Sequence, residues 1–186
     1  MSYKQSANSL KERKNLLYLA QTDTTAGFLS KDEREINKAK GRALQTPCIL
    51  TMSSLKELVS LVRVPKAHKN LVRKAKKTSF IYKNALNSCD FSKPLSATLK
   101  DKPLQMSATN GFLACRVVKD CAHAEFLREF GAFFSSSANL HEQAFSEQIA
   151  RQITLQNGGQ IIDESLFSGA PSALIKLYRH KKVKIR

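Results

Sequence analysis

The sequence lacks the patterns that identify several common classes of protein. Its four cysteines form no CxxC pair and no ladder with histidine, so a structural zinc site has little support. No apolar run approaches the ~20 residues that span a bilayer, and the first residues are polar, without the apolar segment of a secretory signal. We therefore expect a cytoplasmic protein without membrane contact. Its thiols (Cys48, Cys89, Cys115 and Cys121) should be reduced and partly buried, and we do not expect Cys115 to pair with Cys121.

Glycine motifs for nucleotide phosphates are also missing. The chain has 7 glycines, and neither GxxxxGK[ST] nor GxGxxG occurs, so it is not a P-loop protein. Asp23 has no obvious carboxylate partner, which gives hydrolysis by paired carboxylates little support. The four histidines are scattered, and we expect no metal or triad role for His68, His123, His141 or His180.

Acidic residues are scarce. The chain has 31 Lys and Arg against 15 Asp and Glu, a formal net charge of +16. The excess is concentrated in two windows: residues 56–83 carry nine basic residues and one acid, and residues 173–186 carry six basic residues and no acid. Clustered positive charge attracts polyanions through counterion release. The basic surface therefore predicts a nucleic acid or nucleotide phosphate as a partner, with a merely solvated basic face as the alternative.

The pattern of apolar residues predicts an α/β fold. With 42% apolar residues, the chain can form a single packed domain over residues 1–186, with residues 1–10 as a flexible start. Apolar strands alternate with amphipathic segments at irregular spacing, which favours a mixed, mostly antiparallel sheet with flanking helices. The polar, proline-containing residues 87–110 are predicted to be a loop or an irregular hairpin. The predicted strands are residues 16–20, 48–52, 78–82, 113–118, 132–136, 161–162 and 172–178, and the predicted helices are residues 30–40 (capped by Ser30), 53–62 (with Leu55, Leu58, Val59 and Val62 on its apolar face), 66–77, 122–130 and 142–152.

Three polar patches follow predicted strands, at residues 21–27, 40–42 and 135–139. Ligands of open α/β sheets bind beyond the strand ends, where such loops converge. Lys40 and Arg42 flank a glycine, so both side chains can point at one phosphate. Each patch alone is more typical of an ordinary turn at the end of a strand than of a ligand site.

In their order along the chain, these segments resemble the signatures of the YrdC-like family, which includes threonylcarbamoyl-AMP synthases of the TsaC type. The likeness runs from about residue 10 to residue 186 and depends on the ordered set rather than on any single motif. The family's P-T-D-T-x-Y-G-L corresponds to residues 21–28, its K-x-R to Lys40 and Arg42, its V-R-V strand to residues 115–118, its S-A-N to residues 137–139, its P-S-T-I to residues 171–175 and its closing I-x-R to residues 184–186.

The resemblance implies a fold and an activity. The fold would be a single YrdC-like domain with a large basic cleft. The activity would be that of an L-threonylcarbamoyladenylate synthase, a nucleotidyltransferase that makes threonylcarbamoyl-AMP and pyrophosphate from L-threonine, bicarbonate and ATP, the first step of the threonylcarbamoyladenosine modification of tRNA. Other tRNA-modification proteins would be partners. Mg²⁺ would travel with ATP as substrate, and no permanent cofactor or metal site is expected.

The resemblance also implies roles for individual residues. Lys40 and Arg42 would neutralise the ATP phosphates as charge builds on the departing pyrophosphate, while Ser137 and Asn139 would supply neutral hydrogen bonds. These four residues form the expected catalytic tetrad. The expected substrate contacts are Thr22, Thr24, Thr78 and Arg116, and the expected nucleotide contacts are Lys40, Arg42 and Ser172.

The chain departs from the family pattern at several positions. The departures are Gln21 for Pro, Ala26 for Tyr, Ala43 for Pro, His141-Glu142 for Ser-Gly, and residues 75–78 in place of P-G-P-x-T. They leave two alternatives open: a YrdC-like RNA-binding module without intact catalysis, and an allied carbamoyl-adenylate enzyme that uses a different acceptor.

Overall fold

The computed structural model describes residues 16–83, 112–119 and 121–186. The predicted flexible start, the predicted loop at residues 87–110 and Cys89 lie outside these residues. The described part forms nine strands, five α-helices and one 3-10 turn. The strands are β1 (Tyr18–Gln21), β2 (Ala26–Ser30), β3 (Ile49–Met52), β4 (Thr78–Lys83), β5 (Phe112–Val117), β6 (Phe133–Ser137), β7 (Gln160–Ile161), β8 (Ala173–Leu177) and β9 (Lys182–Lys184). The helices are α1 (Glu33–Ala39), α2 (Leu55–Leu61), α3 (Lys69–Lys74), α4 (Ala122–Phe130) and α5 (Glu147–Gln156), and the 3-10 turn is Lys66–His68.

All nine strands join one sheet, in the order β7-β1-β2-β6-β3-β5-β4-β8-β9. Three neighbouring pairs are parallel (β7 with β1, β3 with β5, and β4 with β8), and the other five are antiparallel. The predicted α/β class with a mixed, mostly antiparallel sheet is therefore confirmed. The strand order brings together β2, β6, β3 and β5, which come from distant parts of the chain.

The core lies on both faces of the sheet. Successive residues of a strand point to opposite faces. Leu19 and Phe134 accordingly belong to one buried cluster, whereas their neighbours Tyr18 and Phe133 belong to the other. Helices α1 and α2 cover the first face with Ile36, Leu58 and other apolar residues, and α4 covers the second with Phe126 and Leu127. Burial on both faces explains why the central strands read as nearly continuous apolar runs.

The boundaries of several elements differ from those predicted, for local reasons. Asp32, not Ser30, caps α1, because its carboxylate accepts from the Arg34 N–H at 3.0 Å. Helix α5 begins at Glu147 because Ser146 caps it, so the predicted start at residue 142 is wrong. On α2, Val59 is 57% exposed, and Leu61 rather than Val59 is buried. Strands β2 and β9 were not predicted. Strand β2 continues directly from a polar patch, and β9 is short and exposed, so neither has a clear apolar pattern.

Candidate active site

A cavity of about 300 Å³ lies against the face of the sheet formed by β3, β4, β5 and β6. Five of the nine predicted site residues line it: Thr22, Thr24, Arg116, Ser137 and Ser172. They come from the β1–β2 loop, from β5, from the end of β6 and from the residue that precedes β8. The pairing of Gly27 with Ser137 between β2 and β6 places the β1–β2 loop beside the serine-rich end of β6. The strand order therefore assembles hydroxyl groups and one guanidinium from residues 150 positions apart in the chain.

Lys40 lies beside the cavity and uses its whole hydrogen-bonding capacity within the protein. It is 3% exposed, and its Nζ donates to the carbonyl oxygens of Ser137 at 2.6 Å and Asn139 at 2.5 Å, and to Asn139 Oδ1 at 3.1 Å. An ammonium group has three donors, so none remains for a ligand. Lys40 therefore holds the turn after β6 in place and contributes charge to the site.

Asn139 is saturated in the same way. Its Oδ1 accepts from Lys40 and from Ser137 Oγ at 2.5 Å, while its Nδ2 donates to the carbonyls of Leu140 and Gln143. The amide thus uses two acceptor sites and two donors. Between these two residues, the Ala138 N–H donates to the Ala26 carbonyl at 2.9 Å, and the Ala138 side chain is 1% exposed. These hydrogen bonds hold the Ser-Ala-Asn turn in place, and Ser137, which lines the cavity, uses its O–H on Asn139 and can meet a ligand only as an acceptor.

Arg42 is placed next to the cavity wall by a tight helix end. Gly41 has φ +64°, a left-handed conformation that glycine adopts without strain, and the chain reverses there after α1. Arg42 Nε donates to Asn37 Oδ1 at 2.6 Å, and its Nη2 donates to Cys48 Sγ at 3.2 Å. Cys48 lines the cavity. Arg42 therefore brings a half-buried guanidinium to this part of the wall, with some of its N–H donors unused by these two contacts.

Burial and mutual repulsion shift the titration of this corner. Burial, assisted by the charge of Arg42, lowers the pKa of Lys40 to about 8. Burial raises the pKa of the Cys48 thiol to about 11, although Arg42 opposes the shift. At neutral pH the lysine is charged and the thiol is protonated, so this corner of the site is positive.

Arg116 is a buried charged residue in the cavity wall. It is 4% exposed; its Nη2 lies 3.2 Å from Asp23 Oδ1, and its Nη1 donates to Thr24 Oγ1 at 3.1 Å. Burial alone would raise the pKa of Asp23, but His123 and Arg116 outweigh it, and the pKa is lowered. Asp23 is therefore ionised. Arg116 Nε has no hydrogen-bond partner within the described residues.

Ser172 lines the cavity, whereas Thr78 does not. Ser172 is 4% exposed, and its Oγ lies 3.0 Å from Ser79 Oγ on β4. Because side chains alternate along a strand, Thr78 points to the other sheet face, where it borders a small void together with Phe80 and Tyr82. The structure thus does not bring Thr78 to the predicted substrate site, and Ser79 takes its place as a support for Ser172.

Gln21, at the end of β1, ties this strand to residues 163–167. Its N–H donates to Asp163 Oδ2 at 2.7 Å, and its side-chain Oε1 accepts from the Phe167 N–H at 2.9 Å. A proline, the family's residue, has no N–H to donate. The segment that Gln21 holds passes so close to the β1–β2 loop that a Cβ on Gly169 would lie 1.9 Å from the Thr24 carbonyl oxygen. The departure at Gln21 is therefore matched by compensating contacts.

Two other departures fall outside the cavity lining. Ala26 is 0% exposed and packs in the core. Glu142, where the family has glycine, has φ +61°, so the chain keeps the left-handed conformation without the residue that favours it.

The sequence reasoning missed further parts of the wall. Arg186 lines the cavity, and its Nε donates to the Ser172 carbonyl at 3.2 Å. The closing I-x-R motif contained a signal for this arginine. The apolar part of the wall, which includes Ile49, Ile81 and Leu174, had no such signal, because these residues read as ordinary strand positions.

The two basic windows are neighbours where β4 pairs with β8. Parallel pairing of β4 with β8 sets Thr78 opposite Ala173, and the Ala173 N–H donates to the Lys77 carbonyl at 3.1 Å. All nine basic side chains of residues 56–83 are exposed, as are all those of residues 173–186 except Lys176. Basic residues from sequences about a hundred residues apart thus lie on neighbouring strands and the segments next to them, and one of these residues, Arg186, lines the cavity.

Several predicted absences can be examined in the described residues. There, no group of three or more His, Cys, Asp or Glu residues could hold a metal ion. Within the same residues, no helix has the length and apolar character needed to cross a membrane. Cys48, Cys115 and Cys121 are free thiols, so the expectation that Cys115 and Cys121 do not pair is confirmed.

Comparison with solved structures shows which fold this is. The chain is similar to Sua5 of P. abyssi complexed with L-threonine (TM-score 0.68, 20% identity), covering 92% of this chain and 50% of that one, so it spans about half the length of that protein. It is also similar to E. coli YciO (TM-score 0.69, 16% identity, 98% and 86% covered) and to a full-length HypF in the phosphate- and nucleotide-bound form (TM-score 0.67, 13% identity, 98% and 28% covered). No family model and no curated protein matches the chain. The fold is therefore the one shared by Sua5 and YciO, and the resemblance to the YrdC-like family that the ordered motifs predict is confirmed at the level of the fold.

Proposed function

We propose that the chain synthesises threonylcarbamoyl-AMP from L-threonine, bicarbonate and ATP. The observation that carries the proposal is the cavity, which is lined by Thr22, Thr24, Ser137 and Ser172 together with Arg116. A small amino acid needs this combination, a cation for its carboxylate and hydroxyls for its polar groups. The similarity to a Sua5 structure that contains L-threonine supports the same reading.

The reaction divides into two bond-forming steps. The threonine amine and bicarbonate form a carbamate and release water. A carbamate oxygen then attacks the α-phosphorus of ATP, the bond between the α- and β-phosphates breaks, and pyrophosphate leaves with the electron pair. The protein must orient the carbamate and balance the charge that develops on pyrophosphate.

The geometry suggests how the residues share this work. Arg116 binds the threonine carboxylate with donors that its contacts to Asp23 and Thr24 leave unused. Arg42 and Arg186, on the two sides of the cavity, bind phosphate oxygens of Mg²⁺-ATP. Lys40 and Asn139 act through the turn that they build rather than by direct hydrogen bonds to ATP, because their hydrogen-bonding groups are already used.

Release of pyrophosphate tests the proposal. Purified protein is incubated with Mg²⁺-ATP, bicarbonate and L-threonine, and the omission of threonine or bicarbonate provides the control. Threonine-dependent pyrophosphate supports the proposal, and its absence at every protein concentration contradicts it. A panel of other amino acids in the same assay identifies an enzyme with a different acceptor. Replacement of Arg42 by Ala should lower the rate by about 10²-fold, whereas Arg128→Ala, an exposed change on α4, should have no effect.

A second candidate, RNA binding without catalysis, is favoured by the two neighbouring basic windows. Their exposed lysines lie on neighbouring elements, so they can contact successive phosphates. Within residues 56–83, the aromatic residues Phe80 and Tyr82 are 3% and 1% exposed and cannot stack on bases. Binding at this window would therefore depend on charge and show little preference for base sequence.

The two candidates differ in measurable behaviour. A variant with Lys74, Lys76 and Lys77 changed to Ser should lose tRNA affinity and reduce the salt slope by about 0.9 for each phosphate contact removed. A control variant with Lys38 and Arg128 changed to Ser should bind as the unchanged protein does. Strong tRNA binding without threonine-dependent pyrophosphate favours the second candidate, and pyrophosphate release that is unaffected by the three lysine changes favours the first.

A further inference from the structure

The part of the molecule that the proposed reaction leaves unexplained is a buried histidine behind the cavity wall. His123 on α4 is 3% exposed, and neither ring nitrogen has a hydrogen-bond partner within the described residues. A neutral imidazole carries one N–H donor and one acceptor, so an unpaired buried ring is costly. Such a residue requires an explanation by either packing or function.

The ring points at the group that holds Arg116. His123 Nδ1 lies 3.7 Å from Asp23 Oδ1, the same oxygen that lies 3.2 Å from Arg116 Nη2. Among the described residues, Asp23 Oδ1 has no partner that meets hydrogen-bond geometry. A shift of about 0.8 Å would bring Nδ1 to the ~2.9 Å from this oxygen that is typical of such bonds, so that Nδ1–H could donate to it.

The state of the ring follows from its surroundings. Burial lowers the pKa of His123, and the neighbouring Asp23 offsets this lowering only in part. Among the described residues, the charged groups that face it are Asp23 in the β1–β2 loop, Arg116 on β5 and Asp163 after β7. At neutral pH the ring is therefore neutral, and the Nδ1–H tautomer is the one that directs a proton at Asp23.

We propose that His123 is a positioning residue, which donates from Nδ1 to Asp23 Oδ1 and thereby controls where the Arg116 guanidinium lies in the cavity wall. Two donors compete for one carboxylate oxygen. With the His123 ring facing this oxygen at 3.7 Å, Arg116 approaches it through Nη2 alone, and Arg116 Nε has no hydrogen-bond partner within the described residues. Without that donor, the carboxylate attracts the guanidinium into a closer, two-point ion pair and draws it away from the ligand.

Two substitutions of His123 separate the hydrogen bond from the packing. His123→Leu keeps an apolar side chain in the buried position and removes the donor. His123→Asn keeps an N–H close to the position of Nδ1. The control is His68→Leu. His68 is also buried, and its Nε2 has no hydrogen-bond partner among the described residues, but it lies in the 3-10 turn that precedes α3.

The closing experiment reads the full-length protein by ¹⁵N NMR without substrate. In the unchanged protein we expect His123 as the Nδ1–H tautomer and a resolved Arg116 Nε–H signal. His123→Leu should shift that signal and change its exchange rate with water, while His123→Asn and His68→Leu should leave it in place. An Nε2–H tautomer, or an Arg116 signal that is identical in His123→Leu, overturns the proposal. Loss of the fold in His123→Leu leaves the decision to the tautomer and to His123→Asn.

A second readout measures the consequence for the ligand and rests on the proposed function. His123→Leu should raise KM for L-threonine about tenfold while kcat changes less than twofold, and His123→Asn should restore KM. A fall in kcat with unchanged KM contradicts a positioning role. If no variant, nor the unchanged protein, makes pyrophosphate, the proposed function fails, and the NMR measurements still decide the role of His123.

Discussion

The two sides of the cavity are built on opposite principles. On one side, Lys40 and Asn139 pair all of their donors and acceptors with each other or with the turn after β6. On the other side, Arg116, Asp23 and His123 are also buried, but several of their polar atoms have no hydrogen-bond partner among the described residues. A saturated network fixes the backbone, whereas an unsaturated one can gain hydrogen bonds from a ligand. The difference therefore separates the scaffold of the site from its binding groups.

The largest effect is expected for Arg116→Gln, on the side of the cavity whose polar atoms are not all paired. This change leaves Asp23 as a buried carboxylate without its cation, which should lower the free energy of unfolding by about 3–5 kcal/mol. The double variant Asp23→Asn/Arg116→Gln removes both charges and should recover most of that stability in urea denaturation. Threonine affinity, measured by calorimetry, should stay lost in both variants. Threonine binding at full affinity in the double variant would show that Arg116 is structural.

At the saturated side, Lys40→Met removes the ammonium that three oxygen atoms share. Because these acceptors remain buried, the free energy of unfolding should fall by about 3 kcal/mol. Urea denaturation followed by circular dichroism measures the change. Lys38→Met, an exposed change on the same helix, should alter stability by less than about 0.5 kcal/mol. Equal stability of the two variants would mean that the Lys40 contacts are not a scaffold.

The departure at Gln21 sharpens the comparison at the loop that carries Asp23. Gln21→Pro introduces the family's residue but removes the N–H that donates to Asp163, so we expect a loss of about 2 kcal/mol in unfolding free energy. Gln21→Ala keeps that N–H and should cost less. Thermal and urea unfolding rank the stability of the unchanged protein, Gln21→Ala and Gln21→Pro. A proline variant as stable as the unchanged protein would contradict the hydrogen bond from the Gln21 N–H to Asp163.

A pH titration distinguishes the two sides by their chemistry. Lys40 has a pKa of about 8 and loses its third donor as the pH rises through this value. The Asn139 side-chain amide signals should shift with the same midpoint, together with the Lys40 Cε signal, which is assigned by its absence in Lys40→Met. Because the pKa in the folded chain lies below 10.5, the contribution of Lys40 to stability becomes more favourable as the pH rises from about 8 to 10.5. Asn139 signals that do not change between pH 7 and pH 9 would contradict the contact.

The smallest effect concerns the turn next to the saturated side. Glu142 has φ +61°, which is strained for a side chain that carries a Cβ. Glu142→Gly should raise the unfolding free energy by about 0.5–1 kcal/mol, net of the entropy of glycine in the unfolded chain. Glu142→Ala keeps the strain and should not stabilise. A destabilised glycine variant would indicate that the exposed contact between His141 and Glu142 outweighs the backbone strain.

Much of the fold could be read from the sequence, because local patterns determine most of it. Helix α4 has the predicted bounds, since Phe126 and Leu127 face one way at helical spacing and Gly131 follows. The start of α5 could not be read, because Ser146 competes with several other polar residues as the cap. Strand β9 could not be read either: Lys182–Lys184 becomes a strand only when β8 offers it a pairing edge.

The candidate site was less accessible to sequence reasoning. Motif order identified five residues of the cavity wall, including Arg116 and Ser172. It did not reveal that Lys40 is saturated, because that depends on two carbonyl groups contributed by the turn after β6. Nor did it assign a role to His123, which belongs to no motif and gains its meaning from a carboxylate about a hundred residues earlier in the chain. Contacts of this kind depend on the tertiary structure.

The parallel pairing of β4 with β8 has a consequence for how the protein folds. Since Ser79 and Leu174 must meet before Ser172 and Arg186 can close the wall, loop-closure entropy opposes the step that completes the cavity. Folds with many such distant contacts acquire them slowly. A ligand that binds the cavity should therefore recognise only the fully folded chain and slow its unfolding, which makes kinetic protection a sensitive report of occupancy.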